Sequence, residues 1–234
     1  CAIYSTFLQR AYDQLIHDIA LQNLDVLFAV DRAGLLEDGP THSGVFDLSF
    51  TRAIPNLIIM VPADEHDMLR MLDFGYQHPG PCIVRYPRGS TPEPLRETSS
   101  PIALGKAQQI LTGTSVALLS FGATGALAKS IAEAETYTMI DMRFVKPLDT
   151  DIIESLSKTH NLLVTLEENT ISGGAGSAVN ELVHALGLPI DILNIGIPDQ
   201  FVEQDTPTNM HNSINLNQAQ ITAKIHQRLK HLGT

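Results

Sequence analysis

The sequence predicts an α/β protein made of two parallel-sheet domains. Three observations carry this. Short apolar runs of strand length recur at residues 26–30, 57–61, 82–84, 116–121, 138–142, 162–166 and 190–195. Most are apolar throughout rather than alternating, the mark of strands buried on both faces of a parallel sheet. Amphipathic stretches of helical length separate them. Finally, residues 89–101 hold Gly89, Pro92, Pro94 and Pro101 among Ser and Thr, a composition that reads as a linker between two such blocks.

Cys1 to Ile3 read as the tail of a strand, so the sequence is expected to begin inside a domain. Ser5 and Thr6 can cap a helix whose apolar face is Leu8, Tyr12, Leu15 and Ile19, at steps of four, three and four. The strand at 26–30 follows, then the strand at 57–61. Asp64 caps a helix carrying Met68, Met71 and Leu72, which leads to the strand at 82–84. After the linker come a strand at 116–121, a helix over 124–134 and a strand at 138–142. A helix near 149–156 and a strand at 162–166 are next. Gly173 to Ser177 lead into a helix reaching Leu186, then a strand at 190–195 and a last helix over 217–229.

The chain has 234 residues, 44% of them apolar and 18% charged, an ordinary globular composition. A net charge of −11 repels phosphate backbones and anionic membranes, so nucleic acid and membrane partners are not expected. No apolar run approaches a membrane span, and no signal or transit peptide is visible. Cys1 and Cys82 lack paired spacing, which excludes a disulfide framework or a cysteine zinc site and suits a reducing, cytoplasmic setting.

Residues 1–105 contain no Lys and seven Arg. Arg32 and Arg85 directly follow apolar strands, at the carboxyl ends where open parallel sheets bind ligands. The guanidinium fork suits phosphate and carboxylate, so the two suggest an anionic ligand; the other reading is ion pairing with the many acids. The segment DRAGLLEDGPTHSG (31–44) is a Gly-rich loop holding Asp38 and His42. His42 is a candidate general acid or base, or else a solvated loop histidine. Tyr4 and Phe7, with Arg10 one turn on, either face a planar ligand or belong to the core. Gly173-Gly174-Ala175-Gly176 precedes a helix as a phosphate loop would. The third glycine of the dinucleotide fingerprint is Val179, and Glu167 and Glu168 would repel phosphate, so a tight turn for close helix packing is expected. There is no Walker, H-E-x-x-H or G-x-S-x-G motif.

The segments YSTFLQRAYDQ (4–14), DRAGLLEDGPTHSG (31–44), RYPRG (85–89), DMRFVKPLD (141–149), EEN with GGAGSAVNE (167–181) and LNIGIPDQF (193–201) resemble, in order, the 1-deoxy-D-xylulose-5-phosphate synthase family of transketolase-like enzymes. The resemblance implies a partial pyrimidine-binding domain (1–95), a linker (96–102) and a transketolase C-terminal-like domain (103–234). It implies thiamine diphosphate and Mg2+ as cofactors and pyruvate and glyceraldehyde 3-phosphate as substrates, joined with loss of CO2 at the entry of non-mevalonate isoprenoid synthesis. It implies that Phe7 stacks on the cofactor's aminopyrimidine and that Tyr4, Arg32 and Arg85 hold the acceptor phosphate. Asp38 and His42 would assist proton transfer, Arg10 would lie near the site, and Arg88 would be structural.

The family's ylide-generating glutamate, its magnesium- and diphosphate-binding GDG motif and its N-terminal histidines are not in this sequence. By this resemblance the metal and diphosphate ligands are expected to lie outside this chain, and the isolated chain is expected to be inactive and to need the remaining N-terminal part. A missing half of the first sheet is expected to expose apolar surface and strand edges. A homodimer is expected, as in the family. The alternatives are a subunit of a split enzyme like the pyruvate dehydrogenase beta chain, a non-catalytic dimerisation module, and a generic nucleotide- or flavin-binding module.

Overall fold

The computed structural model describes residues 1–89, 94–96 and 100–233. The described residues form two five-stranded sheets flanked by helices. In chain order the elements are β1 (Ala2–Tyr4), α1 (Ser5–Leu8), α2 (Tyr12–Gln14), β2 (Leu27–Asp31), α3 (Asp47–Thr51), β3 (Ile58–Met60), α4 (Glu65–Gln77) and β4 (Cys82–Arg85). They continue with β5 (Gln108–Leu111), β6 (Val116–Phe121), α5 (Gly125–Glu135), β7 (Thr138–Asp141), β8 (Phe144–Lys146) and α6 (Thr150–Ser157). The last are β9 (Leu162–Thr170), α7 (Ala175–Ala185), β10 (Asp191–Ile197), α8 (Pro207–Ser213) and α9 (Gln218–Leu232).

The first sheet runs β1-β2-β4-β3-β8 and the second β10-β9-β6-β7-β5. Nearly every pairing is parallel, as the apolar strands require. Each sheet departs from the all-parallel expectation at one edge: β8 lies antiparallel to β3, and β5 antiparallel to β7. β8 follows the linker yet joins the first sheet, so it covers the β3 edge and leaves β1 as the open one. The chain passes from β7 to β8 through Arg143, a non-glycine residue at φ +57.

The apolar spacing explains the packing. Leu8 and Leu15 are buried in the main core, and Tyr12 and Ile19 pack against it, so the expected stripe holds. The expected cap does not: Tyr4 occupies the cap position, and Ser5 is already helical and buried. The helical stretch is also irregular, passing through a 3₁₀ turn at Gln9–Ala11 and a π turn at Leu15–Ala20. Elsewhere the caps are regular. Asp64 accepts the Asp67 N–H at 2.9 Å, and Asn217 accepts the Gln220 N–H at 3.0 Å. β6 is fully buried at the centre of its sheet. The expected linker, residues 96–102, lies partly outside the described residues.

A buried ionic cluster ties the blocks together. Arg96 reaches Asp67 of α4 at 2.5 Å and Asp141 of β7 at 3.2 Å, and Arg143 reaches Asp67 at 2.9 Å. Burial and the charge of Asp67 push Asp141 up to about 8, while the two arginines help hold Asp67 down. Among the described residues, no helix is long and apolar enough to cross a membrane.

Candidate active site

The site is built where β1 and β2 end. β1 stops at Tyr4 and the helical stretch starts at once, so Tyr4 and Phe7 stand one turn apart at the sheet's carboxyl edge. β2 ends at Asp31, paired with Tyr4 in register, and Arg32 then takes φ +57. This left-handed turn throws the chain into the 31–44 loop. Two backbone bonds close the loop's base, Gly34 N–H to Gly44 O and Gly44 N–H to Gly34 O, both 2.8 Å. Gly44 must be glycine, because a Cβ there would strike the Arg32 carbonyl and the Ser5 side chain.

Five of the sequence-predicted residues come together in one array. The Arg32 guanidinium lies 3.6 Å from the Tyr4 ring centre and is ion-paired with Asp31. Tyr4 stacks on Phe7 with centroids 5.2 Å apart, and His42 meets the Phe7 edge-on at 5.8 Å. The Arg10 guanidinium sits 5.8 Å from the Phe7 centroid. Phe7 is 37% exposed, which leaves a planar hydrophobic surface for a ligand. His42 is oriented by a 2.9 Å bond between its Nδ1 and the Thr41 hydroxyl.

The other two predicted residues stand at the margins. Asp38 turns outward and pairs with Arg88 at 3.3 Å, both half-exposed. Arg88 and Arg32 help to line a neighbouring cavity of about 390 Å³, with Asp31, Asp64 and Tyr86. Arg85 is buried beneath the loop, 5% exposed. Its Nε bonds both Asp47 carboxylate oxygens at 2.9–3.0 Å, and its Nη2 donates to the carbonyls of Gly44 (2.9 Å) and Glu168 (3.0 Å). Those bonds leave out only Nη1.

The second sheet contributes residues that sequence reasoning did not assign to the site. At the end of β9, Glu168 Oε1 accepts the Leu35 N–H at 3.1 Å, and Asn169 Oδ1 accepts the Leu48 N–H at 3.3 Å. His211 of α8 bonds Glu168 at 2.8 Å, and that contact raises the His211 pKa. The only signal for Glu168 and Asn169 was their place in the EEN motif, and His211 carried none. The glycine segment after β9 is the expected tight turn. The N-terminal N–H groups of Ala175 and Gly176 donate to Glu167 at 2.8 Å, so a side chain of the protein itself fills the helix end. Burial drives Glu167 up to about 7 against the opposing pull of those two bonds.

Glu167 and Asp141 therefore hold protons in the folded chain that they would have lost when unfolded. Stability should fall as pH rises from the carboxylate range through about 7 and about 8, respectively. We expect the thermal midpoint to be several degrees lower at pH 8.5 than at pH 6.5. Starting at pH 6.5 leaves out most of the opposing contribution of His160, whose pKa burial lowers. A midpoint that rises over this interval would contradict these assignments.

The donor set suits a flat ring and an anion: an aromatic surface framed by arginines, with a histidine and a carboxylate nearby. Among the described residues, no three His, Cys, Asp or Glu side chains gather in a way that could hold a metal ion.

The family model described as Transketolase, pyrimidine binding domain, matches residues 1–94, and that described as Transketolase, C-terminal domain, matches residues 105–221. The chain is 51% identical to the 1-deoxy-D-xylulose-5-phosphate synthase of Hahella chejuensis over 99% of its own length and 36% of that protein's. It is 53% identical to the synthase of Stutzerimonas stutzeri over 99% of itself and 37% of that protein. The chain thus spans little more than a third of the length of these relatives. Among solved structures, a split-gene transketolase, an inactive β4 tetramer, is matched with a TM-score of 0.90 at 26% identity, over 98% of this chain and 75% of that one. Transketolase from Campylobacter jejuni shares the fold alone, with a TM-score of 0.74 at 17% identity over 97% of this chain and 35% of that one.

Proposed function

The chain belongs to the transketolase family, and from that premise we propose that it forms the carboxy-terminal part of a 1-deoxy-D-xylulose-5-phosphate synthase. The observation that carries the reading is the continuous array Arg32–Tyr4–Phe7–His42 at the carboxyl edge of the first sheet. In this reading the substrates are pyruvate and glyceraldehyde 3-phosphate. Thiamine diphosphate, when bound, supplies the carbanion chemistry, and Mg2+ and the diphosphate are held by residues outside this chain.

The residues of the chain then take these roles. Phe7 offers its exposed ring to the cofactor's aminopyrimidine. Arg32, backed by Tyr4, holds the acceptor phosphate, and Arg85 adds Nη1 from below while Asp47 fixes its orientation. His42 handles a proton at the acceptor carbonyl, and Asp38 serves the substrate hydroxyls. Arg10 flanks the Phe7 ring and biases the site toward anions.

The isolated chain is expected to make no product and to bind thiamine diphosphate weakly or not at all. Fused to the amino-terminal portion of the Hahella chejuensis relative, it should convert pyruvate and glyceraldehyde 3-phosphate to product and CO2. Product from the chain alone, or none from a folded, cofactor-loaded fusion, would overturn the proposal. A second reading has the chain as one subunit of a split enzyme, favoured by its likeness to the split-gene transketolase. That reading predicts activity on mixing with a separate amino-terminal chain, and self-association without activity in its absence.

A further inference from the structure

We infer that Glu168 and His211 are positioning residues that fasten the 31–44 loop and thereby set how tightly the acceptor is held. The inference rests on the reading of that loop as the acceptor side of the site.

The geometry is specific. One carboxylate oxygen, Glu168 Oε1, receives two hydrogen bonds from separate parts of the chain, the Leu35 N–H at 3.1 Å and His211 Nε2 at 2.8 Å. Leu35 is the third residue after Arg32 and Asp38 the third after Leu35, so the bond lands midway between two proposed ligand-facing residues. Loop and carboxylate are in direct contact. Gly34 sits at φ +85, and a Cβ there would lie 2.6 Å from the Glu168 carboxyl carbon. A larger residue would be strained at this φ and would push the Glu168 carboxylate out of its place.

Glu168 does not act in isolation. Its carbonyl accepts from Arg85, the next residue receives the Leu48 N–H, and the Thr170 N–H donates to Val45 O at 2.8 Å. Three consecutive residues of β9 thus grip the loop at its start and just beyond its end. His211 completes the arrangement by donating to the carboxylate from α8. Without that donor, the Glu168 side chain has one partner fewer and is freer to rotate toward water. The pair is sheltered, with side-chain exposures of 13% for Glu168 and 30% for His211, so water competes poorly for the bonds.

This arrangement differs from passive packing in what it controls. The loop carries acceptor groups, whereas Phe7, proposed to meet the cofactor, lies on the helical stretch after β1. Loosening the loop should therefore separate the two substrates kinetically.

The test uses a full-length enzyme containing this chain, either the native polypeptide or the Hahella chejuensis fusion. Glu168→Ala is expected to raise KM for glyceraldehyde 3-phosphate about tenfold and leave pyruvate KM and decarboxylation within about twofold. Glu168→Gln, which still accepts from Leu35, should recover most of the loss. His211→Ala should give a smaller rise that His211→Gln, still a donor, reverses. His226→Ala, which removes a surface pair with Glu135, should change nothing. Amide exchange across residues 31–44 should accelerate in Glu168→Ala and not in His226→Ala. Equal losses for both substrates, or an unchanged acceptor KM with unchanged loop exchange, would overturn the inference. Absence of synthase activity in the unmutated enzyme would instead count against the proposed function, and loop exchange would still decide whether the clasp exists.

Discussion

Replacing Arg32 by alanine in the full-length enzyme should lower kcat/KM for glyceraldehyde 3-phosphate by about 100- to 1,000-fold. Hydrogen bonds to charged groups contribute about 1.5–3 kcal/mol each, and a guanidinium can give a phosphate two of them. A loss of about 3–4 kcal/mol corresponds to that factor. The side chain is already held for the task, stacked 3.6 Å over Tyr4 and ion-paired with Asp31, so little ordering is left for binding to supply. Arg32→Lys should recover only a small part, because an ammonium neither forks onto phosphate nor stacks as a plane on the ring. Pyruvate decarboxylation should change by no more than a few-fold. Steady-state kinetics with each substrate varied in turn makes the comparison, and equal losses for both would remove Arg32 from the acceptor site.

The largest stability effect is expected at Arg85. Arg85→Met keeps the volume and removes the charge, leaving Asp47, itself 3% exposed, without its charged partner and with only the Leu48 N–H on its carboxylate among the described residues. Breaking a buried ion pair from one side typically costs about 3–5 kcal/mol. The carbonyls of Gly44 and Glu168 lose a donor as well. Adding Asp47→Asn should return part of the loss, since the two side chains share one interaction and their effects will not add. Urea denaturation of the chain and its two variants measures this. A loss below about 1 kcal/mol would mean that Arg85 does not brace the loop base.

These two arginines also show how far the sequence could be read. Both stand at strand ends and read as anion ligands or as structural ion pairs. The structure places them differently, though both are ion-paired: Arg32 lies on the Tyr4 ring beside Asp31, partly exposed, and Arg85 goes under the loop to Asp47. Nothing local distinguishes them, because Asp47 is brought to Arg85 by α3, a five-residue helix with a weak sequence signature. Buried strands such as β6 were legible because continuous apolar runs of that length have few other uses.

β8 was not legible. Phe-Val-Lys is too short to show a period, and its partner is β3 on the far side of the linker. Helix α8 did carry a start signal, with Thr206 at the cap and Pro207 in the first turn, but no element was expected between the strand at 190–195 and the last helix. The Glu168–His211 clasp was invisible for a physical reason. Glu168 appeared only as an acid beside a glycine turn, and α8 brings His211 to it in three dimensions. The Gly34 approach that makes the contact possible likewise depends on how the two sheets pack.

In the proposed function, the array at the end of β1 and β2 is the face that receives a phosphorylated acceptor. The most direct test is a crystal structure of the full-length enzyme with glyceraldehyde 3-phosphate bound. The phosphate should lie within hydrogen-bond distance of Arg32, with the substrate carbonyl turned toward His42 and Phe7 facing the cofactor ring. A phosphate held away from Arg32, with the array still open to solvent, would contradict that role.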